Sequence, residues 1–103
     1  MSKKTLFLDT SSNKRVVLGL DGKRKVIKIG QEDRLLLKNI SVFLKDNRCR
    51  LSDLGRIKIN SGPGSFTGLR AGFSIANLLG WYLDIPVNGR RISSENVALP
   101  KYD

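Results

Sequence analysis

A small residue recurs at every fourth position along one stretch of the chain: Gly64, Gly68, Gly72, Ala76 and Gly80. A four-residue period holds these positions on one side of a helix, where each interior glycine costs about 0.5–1 kcal/mol relative to alanine. The compensating gain is close approach, since a stripe without side chains lets a neighbouring helix or sheet pack tightly against the backbone. On a helical wheel started at Ser65, the residues Gly68, Leu69, Ala71, Gly72, Phe73, Ile75, Ala76, Leu79, Gly80 and Leu83 fill an arc of about 200°, wider than the roughly 100° stripe of one core contact. The helix is therefore expected to be covered from two directions. Its remaining face carries Phe66, Arg70, Ser74, Asn77, Leu78 and Trp81. Trp, Arg and Phe on an otherwise polar face have the make-up of protein-interface anchors.

The helix is preceded by an alternating strand, Arg56-Ile57-Lys58-Ile59-Asn60, and a glycine-rich turn, Ser61-Gly62-Pro63-Gly64. Such a junction presents backbone N–H groups to an anion. The spacing departs from known phosphate loops, however. Leu69 follows Gly68 where a Walker A loop needs lysine, and Thr67 stands where the dinucleotide pattern needs its third glycine. No cofactor is expected.

Upstream, Thr5-Leu6-Phe7-Leu8-Asp9 reads as a buried strand, and Asp21-Gly22 is a hairpin turn between Val16-Val17-Leu18-Gly19-Leu20 and Lys25-Val26-Ile27-Lys28-Ile29. Three antiparallel strands over residues 5–29 follow. Gly30 breaks the last of them, and Gln31-Glu32-Asp33 places acids at a helix start. In that helix Leu36, Leu37, Ile40, Phe43 and Leu44 are expected to face the sheet. Arg34, Lys38 and Lys45 form a basic stripe with Ser41, while Leu35 and Val42 are spare apolar positions pointing a third way. Asp84-Ile85-Pro86-Val87-Asn88 ends the second helix and begins a last short strand. The fold expected is α/β, a mixed sheet of about five strands with two main helices. Residues 1–92 form the lobe, and 93–103 a polar, flexible tail.

At 103 residues the chain suits one domain, which buries about 60–70% of its unfolded surface. It has no histidine, which removes the Ser-His-Asp and Cys-His arrangements and the commonest zinc ligand. The single cysteine, Cys49, is expected to be a buried, inert thiol in a reducing cytosol. Asp9 interrupts the apolar run Leu6-Phe7-Leu8 too early for a signal peptide or a membrane span, so a soluble cytoplasmic protein is expected. The net charge of +10 is uneven: residues 1–60 carry +9 and residues 61–103 carry +1. A field of this size favours polyanions such as RNA or an acidic protein surface, and Arg34, Lys38 and Lys45 are the candidate contacts.

The run Gly62-Pro63-Gly64-Ser65-Phe66-Thr67-Gly68-Leu69-Arg70, between a strand and a glycine-rich helix that ends in Ile85-Pro86-Val87-Asn88-Gly89, resembles the TsaB family, also called YeaZ. Leu6-Phe7-Leu8-Asp9-Thr10-Ser11 is similar to that family's opening strand and loop. The resemblance spans residues 5–92 and implies a single actin-like or ribonuclease-H-like lobe, one of the two in the family. It further implies a non-catalytic scaffold in the bacterial machinery that makes threonylcarbamoyladenosine in tRNA. The scaffold serves a TsaD-like catalytic partner, with a TsaE-like protein joining the assembly. Family contacts run through the two helices, which makes Leu35, Val42, Phe66, Gly68, Arg70, Gly72, Ser74, Asn77 and Trp81 the candidate interface. Three other readings stand beside it: an RNA-binding accessory, a homodimer in place of the second lobe, and a ribonuclease-H-like metal nuclease built on Asp9 and Glu32. The last lacks an acid at Asn60 and Ser61, where a two-metal site needs one.

Overall fold

The computed structural model describes residues 3–28 and 35–100. Ile29, Glu32 and Arg34, and with them the expected acidic helix start, lie outside the described residues. Strand β1 (Lys4–Asp9) pairs antiparallel with β2 (Arg15–Leu20), which pairs antiparallel with β3 (Lys23–Lys28). The hairpin closes at Asp21 and Gly22, both at positive φ, as the sequence pair requires. The Asp21 carboxylate also accepts the Thr5 N–H at 2.9 Å, tying the turn to the start of β1.

Helix α1 (Leu36–Asp46) and a 3-10 turn at Leu51–Asp53 lead to β4 (Leu54–Ile59), which joins the other edge of β1 in parallel. The sheet order is β3-β2-β1-β4. Helix α2 (Phe66–Leu83) starts on Ser65, whose hydroxyl accepts the Gly68 N–H at 3.2 Å. It ends on Asp84 in the left-handed conformation.

Strand alternation decides where the core forms. Leu6 and Leu8 lie opposite Leu20 and Leu18 on one side and Ile57 and Ile59 on the other, so all six share one face. Ile40, Phe43 and Leu44 of α1 and Phe73, Ala76 and Leu79 of α2 cover that face, and all are buried. Each fully buried aliphatic side chain contributes about 1.5–3 kcal/mol. Leu37, expected in this set, is 45% exposed. It lines the hollow between α1 and the 48–51 turn, because Ile40, Phe43 and Leu44 already fill the contact with the sheet.

The sheet has four strands where about five were expected. Val87 makes one parallel bridge to Ile57, backed by bonds from Ile57 N–H to the Pro86 carbonyl and from Asn88 N–H to the Ile57 carbonyl, both 2.9 Å. Asn88 and Gly89 then take positive φ and turn the chain back, so that Val87 pairs with Arg90. The Asn88 side chain finishes the edge in place of a strand: its amide brackets the Ile59 N–H and carbonyl at 2.8 and 3.0 Å. Residues 93–100, which lack any periodicity, fold back along α2. Ala98 is buried, and its N–H and carbonyl are both held by the Asn77 amide, at 3.0 and 2.9 Å.

Cys49 is 6% exposed. Burial, reinforced by the Asp53 carboxylate, pushes its thiol above the usual range. Ellman's reagent at pH 8 should therefore react with the native chain at least about tenfold more slowly than with the unfolded chain. Equal rates in the two states would contradict this placement.

Candidate partner-docking site

The glycine stripe is filled from inside the molecule. A Cβ at Gly68 would overlap the Thr10 carbonyl oxygen, one at Gly72 the Thr10 side chain, and one at Gly64 the Ser11 carbonyl. Gly80 faces Val87 and Ile92 instead. Close approach is thus the reason for the series, and its target is the loop after β1 together with the 85–92 crossing. Gly68 and Gly72 thus contribute to the inner packing of α2.

That loop is tightly organised. One carboxylate oxygen of Asp9 accepts from the Ser11 N–H at 3.0 Å and the Ser11 hydroxyl at 2.6 Å. The Ser11 carbonyl accepts the Ser65 N–H at 2.6 Å, linking the loop to the start of α2. Partial burial raises the Asp9 pKa, but the Ser11 bonds, Asn60 and the nearby Arg15 outweigh it, so the group ionises below the ordinary carboxylate range. A depressed folded-state pKa adds stability that is present above the unfolded value, about 3.9, and is lost as pH falls through the folded value. Asp9→Asn should accordingly lower the melting temperature at pH 7 and leave a smaller difference from the parent at pH 3. A difference that persists undiminished in acid would show that ionisation is not the source. Among the described residues, no three Cys, Asp or Glu side chains are grouped to hold a metal ion.

The outer face of α2 is different in kind. Phe66, Leu78, Trp81 and Tyr82 are all exposed, Trp81 to 62% and Tyr82 to 71%. The Arg70 guanidinium lies 5.3 Å from the centroid of the Phe66 ring, and Ser74 is exposed between them and Trp81. On α1 and at its cap, Val42 and Leu35 are exposed, Leu35 to 67%. The two helices flank a cleft of about 370 Å³ lined by Leu36 and Asn39 on one side and Thr67, Gly68 and Ala71 on the other. Thr10 closes its floor, with a hydroxyl that has no hydrogen-bond partner among the described residues. Lys38 and Lys45 are exposed on α1. Asn77 is half-buried and committed to Ala98, which sets it apart from the outer face. Tyr82 was absent from the expected interface. Its signal is its position one turn beyond Leu78, in the row Ser74, Leu78, Tyr82.

A mixed sheet in this order, with two helices on one face, a glycine-rich start to the second and an apolar outer surface, defines one actin-like α/β lobe. Residues 13–90 match the family model described as TsaD: tRNA N6-adenosine threonylcarbamoyltransferase. The chain is 36% identical over 91 residues to the tRNA threonylcarbamoyladenosine biosynthesis protein TsaB of Bacillus subtilis, across 81% of this chain and 38% of that one. An uncharacterized protein of Mycobacterium tuberculosis is 37% identical over 68 residues, covering 66% of this chain and 32% of its own. Among solved structures, YeaZ from Pseudomonas aeruginosa superposes with a TM-score of 0.72 at 28% identity, over 82% of this chain and 43% of that chain. The chain belongs to the TsaB/YeaZ family. It spans well under half the length of these relatives. Among the described residues, no helix is long and apolar enough to cross a membrane.

Proposed function

We propose that this chain is a non-catalytic scaffold subunit of the cytoplasmic machinery that makes threonylcarbamoyladenosine in tRNA, and that it binds a TsaD-like catalytic partner through the outer faces of α1 and α2. The observation that carries this reading is the exposed set Phe66, Leu78, Trp81 and Tyr82 on a single helix, with Arg70 beside the Phe66 ring. Isolated exposed apolar side chains are ordinary, whereas one helix surface that carries Trp, Tyr, Phe and Arg has the composition of an interface centre. The relative from Bacillus subtilis, named for tRNA threonylcarbamoyladenosine biosynthesis, supplies the process.

The inner face of α2 supports a scaffold role by its rigidity. The helix is locked at its start by Ser65 on Ser11, at its middle by Gly72 on Thr10 and at its end by Gly80 on Val87. A helix held at three points loses little freedom when its outer face is covered, which lowers the entropic cost of association. The Asp9 carboxylate is engaged in holding Ser11, and this work of positioning the loop fits a structural role.

The test is co-expression of the chain with the TsaD-like protein of the same cell, followed by size-exclusion chromatography with light scattering. A co-eluting complex is expected. Separate elution of the two proteins at micromolar concentration would overturn the reading, and a concentration-dependent dimer of this chain alone would favour self-association through the same face. Adding a TsaE-like protein to the pair tests whether the assembly extends further.

A further inference from the structure

The face of the sheet opposite the helices has a composition of its own. The register puts Arg56 beside Thr5, Lys58 beside Phe7, Gly19 beside both Phe7 and Arg24, Val17 beside Val26, and Arg15 beside Lys28. These residues alternate with the buried set, so they share the open face. Arg15, Arg24, Lys28, Arg56 and Lys58 are all exposed, and none forms a salt bridge among the described residues. Asp9, at the far end of β1, also shares this face, and its carboxylate is bonded to Ser11. Side chains two apart on a strand are about 6.8 Å apart and neighbouring strands about 4.8 Å, so the five cations spread over a surface roughly 14 Å wide across the strands and about 20 Å long along them.

An aromatic group sits at the centre of this surface. Phe7 lies across Gly19, where a Cβ would stand 3.0 Å from the Phe7 Cβ. The Arg24 guanidinium is placed over the ring, 4.4 Å from its centroid. Phe7, Arg56, Lys58 and Asn60 also line a shallow groove of about 600 Å³ that runs along β4 to Asn88. A guanidinium fixed over a ring keeps its N–H donors in its own plane and offers its outer side to a stacking partner.

We propose that the open face of the sheet binds single-stranded RNA, with Arg15, Lys28, Arg56 and Lys58 on phosphates and the Phe7–Arg24 pair stacked on a base. Cations alone suit any polyanion. Cations interleaved with a planar stack on an open four-stranded surface suit a chain that alternates phosphates with bases. An acidic protein surface has no use for the stack. This inference is independent of the helix faces and of any protein partner.

The test measures binding of the full chain to a fluorescein-labelled single-stranded RNA 12-mer by anisotropy between 50 and 300 mM salt. Replacing three of the four phosphate-binding cations (Lys28→Gln, Arg56→Gln, Lys58→Gln) should weaken binding at least about tenfold and reduce the log–log salt slope by about 2. The helix variant Lys38→Gln with Lys45→Gln should change affinity by less than about twofold. Phe7→Leu, which keeps the charges and the core side of the sheet, should weaken RNA by several fold without altering the salt slope. Equal losses from the sheet and helix variants, per charge removed, would reduce the effect to net charge and overturn the proposal. So would polyglutamate of the same length binding as tightly as RNA, which would assign the face to an acidic protein. All variants change exposed or partly exposed positions, and an unaltered circular dichroism melt confirms that the fold is kept.

Discussion

Gly68→Ala should lower the melting temperature, against the usual direction for a glycine-to-alanine change in a helix. That change ordinarily stabilises by up to about 1 kcal/mol through backbone propensity. Here the added Cβ meets the carbonyl oxygen of Thr10, and a backbone atom cannot rotate away. The strand end that carries it is pinned by the bond from Asn60 N–H to the Leu8 carbonyl at 2.9 Å and by the bond from Ser65 N–H to Ser11 at 2.6 Å. Overpacking of this kind costs about 1–3 kcal/mol, so a net loss of about 2 kcal/mol, or about 10 °C, is expected. Gly72→Ala should also destabilise, but through the Thr10 side chain, whose Cβ and Cγ2 lie 2.9 Å from the new Cβ position. The two sites therefore part company in a double-mutant cycle. Thr10→Ala removes a hydroxyl that is already buried without a partner among the described residues. It should recover part of the loss at Gly72 and none at Gly68. A rise in melting temperature for Gly68→Ala, or equal rescue at both sites, would show that α2 does not rest on the β1 loop as described.

The glycine series shows what a sequence conveys and what it withholds. Its period announces a close approach, because nothing else offsets several glycines in a helix, yet the period has no memory of which backbone arrives. Thr10 and Ser11 are more than 50 positions upstream, and only the parallel pairing of β1 with β4 brings them under α2. A stripe open to a partner and a stripe packed inside look alike in sequence, and the structure sets Gly68 and Gly72 against Thr10. The same limit explains the basic surface. The charges of α1 stand out on a helical wheel within one segment, whereas Arg24, Lys28, Arg56 and Lys58 share a face only once the register across four strands is known. The Asp21-Gly22 hairpin and the Ser65 cap were legible because each is decided by residues that are neighbours in the chain. The fifth strand was not, because the left-handed pair at Asn88 and Gly89 ends it after a single bridge.

Trp81→Asp should abolish co-elution with the TsaD-like partner while lowering the melting temperature of the isolated chain by no more than about 4 °C. The two parts of this expectation come from opposite sides of one helix. Trp81 is 62% exposed and belongs to none of the buried core, so its replacement costs the fold little, about 0.5 kcal/mol or less. Buried in an interface, a tryptophan typically accounts for 2 kcal/mol or more on truncation, about 30-fold in Kd, and a carboxylate at the same place adds its own desolvation cost. Phe66→Ala should act in the same direction and more mildly, because it also removes the ring that positions Arg70. Gly72→Ala should behave in the reverse manner, lowering the melting temperature while the partner still binds whatever fraction remains folded. Isothermal titration of each variant beside its thermal melt separates the two faces. If Trp81→Asp and Phe66→Ala both bind within about twofold of the parent, docking lies elsewhere, and the exposed row on α2 has to be explained by some other contact.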